Sequence, residues 1–272
     1  MKQIKKVAII AFLIILMPVL SSCEDKNGWE WLNDNLTVLS AHRGAQTVAP
    51  ENNIASIKEA RRLNYKAVEI DPRENKEGDI YLLHDESVDR TTNGKGKLLD
   101  LTNSQLSKIN ILTDDYPQYK QKVLKVPRFE DAIKEIKKNN LIVNIDGSKG
   151  NWFDENFSKK IVDALKNNGA YEKSFFVITE EKQREYFNRL YPDACVSWLV
   201  NSDAKIEDEI KKVKKYQHAL LSIPDKLASK QNIKKLNDSS IYYQVYGVNN
   251  YSRFQELREL KVKMVETDLL AP

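Results

Sequence analysis

Short β-branched and aromatic runs return along this chain at regular intervals, with amphipathic segments between them. The candidate strands are Thr37 to Ala41, Tyr65 to Asp71, Leu141 to Asp146, Ser174 to Thr179, Cys195 to Val200, His218 to Ile223, Ile241 to Val248 and Lys263 to Thr267. Apolar residues recur at i, i+3 and i+4 in the intervening stretches, as in Ile54, Ile57 and Ala60, or Phe129, Ala132, Ile133 and Ile136. The same period runs through Phe157, Ile161 and Leu165, then Ile206, Ile210 and Val213, then Phe254 and Leu257. Asn53 is placed to cap the first helix and Gly169 to close the one ending near Asn168. Alternation of this length predicts an α/β fold, a (β/α)8 TIM barrel over residues 37–272.

One interval breaks the rhythm. From residue 65 to residue 141 the chain is too long for one strand and one helix, so an insertion follows the second strand. Asp79 to Leu83 is a further apolar run, too near Asp71 for a crossover helix, and Glu77-Gly78 reads as a two-residue hairpin turn. Pairing Lys76 with Asp79 sets Asp71 opposite His84, with Glu69 two positions away on the same face. These polar groups then meet at the C-terminal rim of the second strand, where barrel enzymes keep their chemistry.

Composition excludes several classes of function. With 41% hydrophobic and 30% charged residues and few Gly or Pro, the chain is neither collagen-like nor disordered in bulk. Its net charge is +4, and Lys2, Lys5 and Lys6 supply most of that, so no basic face for nucleic acid is implied. Those lysines precede an apolar run, Val7 to Leu20, that is shorter than the roughly 20 residues of a spanning helix and reads as a signal-peptide core. Leu20-Ser21-Ser22-Cys23 follows and resembles a bacterial lipoprotein box. Residues 1–22 are therefore expected to be a lipoprotein signal peptide, Cys23 a lipidated anchor and 23–36 a polar tether, which places the protein in a bacterial cell envelope, periplasmic or on the surface. Cys195 then has no disulfide partner and reads as a small buried hydrophobe.

Polar residues near strand ends form a short list: His42, Arg43, Glu51, Glu69, Asp71, His84, Asp85, Asp146 and Asp268. Glu69, Asp71 and Asp146 offer hard oxygen ligands for one divalent cation, Ca2+ or Mg2+. Two histidines beside such a cation can divide acid and base roles, and an arginine can clamp a phosphate with its fork. Glu51 is expected to order Arg43, and Asp268 to line the pocket.

These residues sit in a wider pattern: His42-Arg43-Gly44, Pro50-Glu51-Asn52, Glu69-Ile70-Asp71, His84-Asp85, Asp89-Arg90-Thr91-Thr92 and Gly94-Lys95-Gly96. Val126-Pro127, Asn144-Ile145-Asp146, Val245-Tyr246-Gly247-Val248-Asn249 and Thr267-Asp268 continue it. Their order and spacing resemble the glycerophosphodiester phosphodiesterase family over about residues 38 to 270. The resemblance implies metal-dependent cleavage of glycerophosphodiesters to sn-glycerol 3-phosphate and an alcohol. It implies Glu69, Asp71 and Asp146 on the metal, Arg43 on the phosphate, and His42 and His84 as general acid and base in either assignment.

The pattern also departs from the family. Asn53 stands where Thr is usual and Asp146 where Glu is common. Tyr246 replaces a Trp, keeping an aromatic wall of different size. The family's phosphate-binding lysine is expected at position 148, which is Ser; Lys149 follows one residue late and substitutes if the loop Gly147 to Gly150 bends. Two other readings stand beside the first. One is a phospholipase of C or D type acting on phospholipids or lysophospholipids, with the insertion Asn93 to Gln121 as its substrate groove. The other is a surface lipoprotein that binds ligands without turnover, for which Ser148 is the support. The residues leave oligomeric state and head group open.

Overall fold

The computed structural model of the protein describes residues 37–272. The expected signal peptide, Cys23 and the tether 23–36 lie outside the described residues. The elements in chain order begin with β1 (Val38–Ala41), α1 (Ile54–Arg62), β2 (Ala67–Ile70), β3 (Pro72–Glu74), β4 (Ile80–Leu82), α2 (Asn103–Leu106) and α3 (Phe129–Lys138). There follow β5 (Ile142–Asp146), α4 (Glu155–Asn167), β6 (Ser174–Ile178), α5 (Glu181–Leu190), β7 (Val196–Leu199) and α6 (Ile206–Val213). The last are β8 (Ala219–Pro224), α7 (Lys230–Asp238), β9 (Tyr242–Tyr246), α8 (Tyr251–Glu259) and β10 (Met264–Thr267). Among the described residues, eight parallel strands close into a barrel in the order β1, β10, β9, β8, β7, β6, β5, β2. The expected (β/α)8 architecture is the observed one. None of the described helices is long and apolar enough to cross a membrane.

Local chemistry explains the helix limits. The Asn53 side chain accepts the Ala55 amide at 3.0 Å while Ser56 Oγ accepts the Asn53 amide at 3.2 Å, a reciprocal cap that starts α1. Gly169, at φ +63°, turns the chain out of α4. Two of the helices between barrel strands show no apolar period in the sequence because they bury too little apolar surface. α5 buries Arg184 and Phe187, and α7 buries Ile233 and Leu236. Arg184 does an apolar residue's work, its guanidinium lying 4.2 Å over the Trp198 ring while it donates to the carbonyls of Ile178 and Thr179.

Side chains fill the barrel in layers. Val38, Ala67, Ile142, Phe175, Leu220 and Met264 form an apolar floor, against which Cys195 packs. Burial pushes the Cys195 thiol well above its ordinary range, in keeping with a packing role. Two residues further along, every strand but β6 turns polar inside the barrel, and Ser40, Glu69, Asn144, Ser197, Ser222 and Gln244 are all buried. Parallel pairing of Ser40 with Glu266 and of Glu69 with Asn144 fixes that level. Glu69 at this level and the residues one layer higher, at the C-terminal rim, make up the site.

Candidate active site

The turn after β1 carries the first two of them. His42 Nδ1 meets Asp268 Oδ1 at 2.5 Å, and Gln46 Nε2 and Asn249 Nδ2 donate to the same carboxylate at 2.8 and 2.7 Å. The His42 bond, then Asn249, hold Asp268 down to about 2. Burial works against a charged His42, but the Asp268 bond and the Glu266 carboxylate outweigh it and raise its pKa above 6.5. With Nδ1 engaged, His42 Nε2 lies 3.9 Å from Glu69 Oε2. Arg43 and Gly44 then take left-handed backbone conformations, φ +55° and +79°. A Cβ on Gly44 would lie 2.3 Å from Ser56 Oγ, so the turn needs glycine there. The turn aims the Arg43 amide at Glu69 Oε2, 2.7 Å away, and brings its guanidinium to 3.2 Å from Glu51 Oε1 and 3.7 Å from Asp71 Oδ2.

Glu69, Asp71 and Asp146 converge, each with an oxygen within 4.8 Å of the others. Glu69 and Asp71 are buried, yet Glu69 Oε1 and Asp71 Oδ1 have no hydrogen-bond partner. Burial, reinforced by the neighbouring carboxylates, raises Glu69 well above its ordinary pKa and raises Asp71 too. A hard divalent cation answers both the unpaired oxygens and the repulsion, and the all-oxygen donor set suits Ca2+ or Mg2+. Asn52 fixes Asp71 from behind, donating Nδ2 to Oδ2 at 2.7 Å and accepting the Asp71 amide at 3.0 Å.

Asp146 titrates the other way. Burial would raise it, but Lys149 and Ser148 hold it below the usual carboxylate range. The loop does bend: Gly147–Lys149 form a single 3-10 turn capped by the Asp146 side chain, which accepts the Ser148 amide at 2.8 Å. Trp152, fully buried, donates Nε1 to the Gly147 carbonyl at 2.6 Å and meets Phe157, Phe176 and Phe187 edge-on at 5.2, 5.7 and 4.9 Å. A Cβ on Gly147 would sit 2.7 Å from the Val177 carbonyl oxygen. Pulled in by this packing, Lys149 Nζ reaches Asp146 Oδ2 at 2.6 Å and stands 3.7 Å from Asp71 Oδ1.

The hairpin corrects one expectation. Pro72 pairs with Leu82 and Glu74 with Ile80, and the Leu83 amide donates to the Asp71 carbonyl, so Asp71 stands opposite Leu83 and not His84. The turn holds three residues instead of two because Asn75 Oδ1 accepts the amides of Glu77 and Asp79, and Gly78 supplies φ +74°. His84 is placed by other means. Arg73 Nη2 grips its carbonyl at 2.8 Å and Asp85 Oδ1 holds its Nδ1 at 2.8 Å. Arg90, from the insertion, links the two flanks: its guanidinium binds Asp85 through Nε at 2.6 Å and Glu51 through Nη1 and Nη2, both at 2.8 Å. Asp85 is depressed by Arg90 first and His84 second. In the barrel mouth His42, Glu69, Asp146, Lys149, Tyr246 and Glu266 line a cavity of about 220 Å³.

Residues 42–271 match the profile of the glycerophosphoryl diester phosphodiesterase family. The chain belongs to that family. It is 37% identical over 131 residues to glycerophosphodiester phosphodiesterase 1 of Bos taurus, a match covering 46% of this chain and 36% of that one. The chain thus spans about a third of that relative's length. Glycerophosphodiester phosphodiesterase of Bacillus subtilis is 26% identical over 256 residues, covering 84% of this chain and 82% of its own. Among solved structures, a phosphodiesterase of Oleispira antarctica in complex with sn-glycerol-3-phosphate superposes with a TM-score of 0.76 at 22% identity, over 86% of this chain and 93% of that one. A glycerophosphoryl diester phosphodiesterase from Parabacteroides distasonis gives 0.69 at 17%, over 87% and 84%. These last two likenesses carry the barrel.

The sequence pattern assigns no role to Asn52, Arg90 and Glu266, nor to Gln46, Arg73 and Asn249, which the structure places in this site. Glu266 was within reach, because a strand alternates and Glu266 stands two positions before Asp268. Asn52 and Arg90 act through loop conformations, φ +49° in the case of Asn52, that no periodicity announces.

Proposed function

We propose that the protein hydrolyses glycerophosphodiesters to sn-glycerol 3-phosphate and an alcohol, using a divalent cation, Ca2+ or Mg2+, at Glu69, Asp71 and Asp146 and two histidines as acid and base. The observation that carries this reading is the pairing of each histidine with its own carboxylate, His42 with Asp268 and His84 with Asp85, around the three-carboxylate cluster. Arg43 and Lys149 face the cluster and supply positive charge for phosphoryl oxygens. The bound cation would add Lewis-acid stabilisation of the same charge. One histidine takes the proton of the glycerol hydroxyl next to the ester as its oxygen bonds to phosphorus; the other protonates the departing alcohol oxygen, leaving a cyclic phosphate. Water then opens the ring with the roles reversed. Lys149 beside Asp146 supports turnover over a binding role without it.

The test is release of glycerol 3-phosphate from glycerophosphocholine with Ca2+, with Mg2+ and with EDTA, alongside His84→Ala. Cation-dependent release lost in the variant supports the reading; no release with either cation overturns it. For the segment ahead of the barrel the proposal is a lipid anchor on Cys23 in the cell envelope. Labelling with a radioactive fatty acid that persists in Cys23→Ala would refute it.

A further inference from the structure

Glu266 takes no part in the chemistry above, yet it lines the same cavity. It lies on β10 at the level of Glu69, below the rim, and its Oε2 accepts from Asn144 Nδ2 at 2.5 Å. Two other polar groups share that level and that cavity. Asn144 and Gln244 are 1% and 2% exposed. Their amide nitrogens are committed, to Glu266 and to Ser222 Oγ at 2.7 Å, while Asn144 Oδ1 and Gln244 Oε1 have no hydrogen-bond partner. Three acceptors thus belong to residues that line one cavity, two of them buried and unpaired, and buried acceptors call for donors.

The direction of that demand says what fits. A phosphodiester group offers only acceptors and carries negative charge, so a carboxylate beside it is unfavourable; Arg43 and Lys149 supply the place for it. Hydroxyl groups are donors. In a glycerophosphodiester the hydroxyl next to the ester is needed for attack and meets a histidine, which leaves the terminal hydroxyl. We infer that Glu266, with Gln244 and Asn144, forms a hydroxyl-reading subsite for the terminal glycerol hydroxyl, which selects deacylated glycerophosphodiesters over lysophospholipids acylated at that oxygen. This rests on the phosphodiesterase reading and names its substrate class. An acyl ester at the terminal oxygen removes the donor and leaves the acceptors unpaired, and rejection of that kind is stronger than rejection by size.

The experiment compares dissociation constants, by calorimetry on the full protein with Ca2+ or Mg2+ present, for glycerol 3-phosphate and for propane-1,2-diol 1-phosphate, which lacks only the terminal hydroxyl. The wild type is expected to favour glycerol 3-phosphate by roughly tenfold, the cost of leaving a buried acceptor unpaired. Glu266→Ala should bring the ratio close to one with the diol phosphate bound no more weakly than before, which also shows that the variant folds; Glu266→Gln, which keeps the shape and one acceptor, should fall between. An unchanged ratio in both variants overturns the inference, as does equal weakening of both ligands. Equal kcat/KM of the wild type on glycerophosphocholine and 1-acyl-lysophosphatidylcholine overturns it as well. Binding needs no turnover, so a wild type that releases no glycerol 3-phosphate yet keeps the Glu266-dependent ratio refutes the activity and retains the subsite.

Discussion

Arg90 and Glu51 meet as two parallel forks, Nη1 to Oε2 and Nη2 to Oε1, each at 2.8 Å. The remaining face of the same guanidinium holds Asp85, so one exposed arginine of the insertion orders both the partner of Arg43 and the partner of His84. Lysine keeps the charge and loses the fork. Arg90→Lys is expected to lower kcat/KM on glycerophosphocholine by about tenfold to a hundredfold, in line with a lost set of charged hydrogen bonds, with the melting temperature within a few degrees of wild type. Unchanged kcat/KM would reduce Arg90 to a surface ion pair.

The carboxylate cluster makes a prediction about stability without metal. Glu69 has a folded-state pKa above its unfolded one, so its ionisation opposes folding. That cost begins as pH rises past the unfolded value, about 4.3, and is complete above the raised folded value. At pH 7.5 in EDTA, Glu69→Gln should therefore melt higher than wild type. Addition of Ca2+ or Mg2+ should raise the wild-type melting temperature and leave the variant nearly unmoved. Scanning calorimetry decides it; a wild type indifferent to both cations would remove the metal site.

Asp268 supports a charged His42, which fixes a sign. His42 is raised above 6.5, so its contribution to stability is full below that pH and fades as pH rises through the folded value, while Asp268 contributes above its unfolded value and loses that as pH falls toward about 2. In metal-free protein Asp268→Asn should shift the His42 titration downward, because burial then acts with less opposition. An NMR titration of the His42 ring that stays in place would contradict this.

Trp152 and Lys149 separate scaffold from chemistry. Trp152→Ala removes the ring that pins Gly147 and should cost about 3–5 kcal/mol in denaturant unfolding. Lys149→Met should leave stability nearly unchanged and weaken inorganic phosphate binding about tenfold. Equal stability losses for the two would mean that Lys149 is structural.

Legibility differed by kind of signal. The barrel was readable because strand–helix alternation is written in apolar period, and His42, Glu69, Asp71, Asp146 and Asp268 were readable because they end strands. α5 was hidden, since Arg184 occupies a position that a period search expects to be apolar. The hairpin register slipped by one residue because Asn75, a side-chain acceptor inside the turn, lengthens it. Lys149 needed a bent loop, and that bend comes from Trp152 packing on residues far along the chain.

The barrel's seam is the pairing of β1 with β10, from Val38 against Met264 to Ala41 against Thr267. His42 stands just past one edge of that seam and Asp268 just past the other, so their bond joins residues 226 apart in the chain. The bond therefore exists only where the barrel has closed: a barrel open at this seam keeps Glu69, Asp71 and Asp146 on or beside strands away from the gap, but has no braced imidazole to set against a substrate.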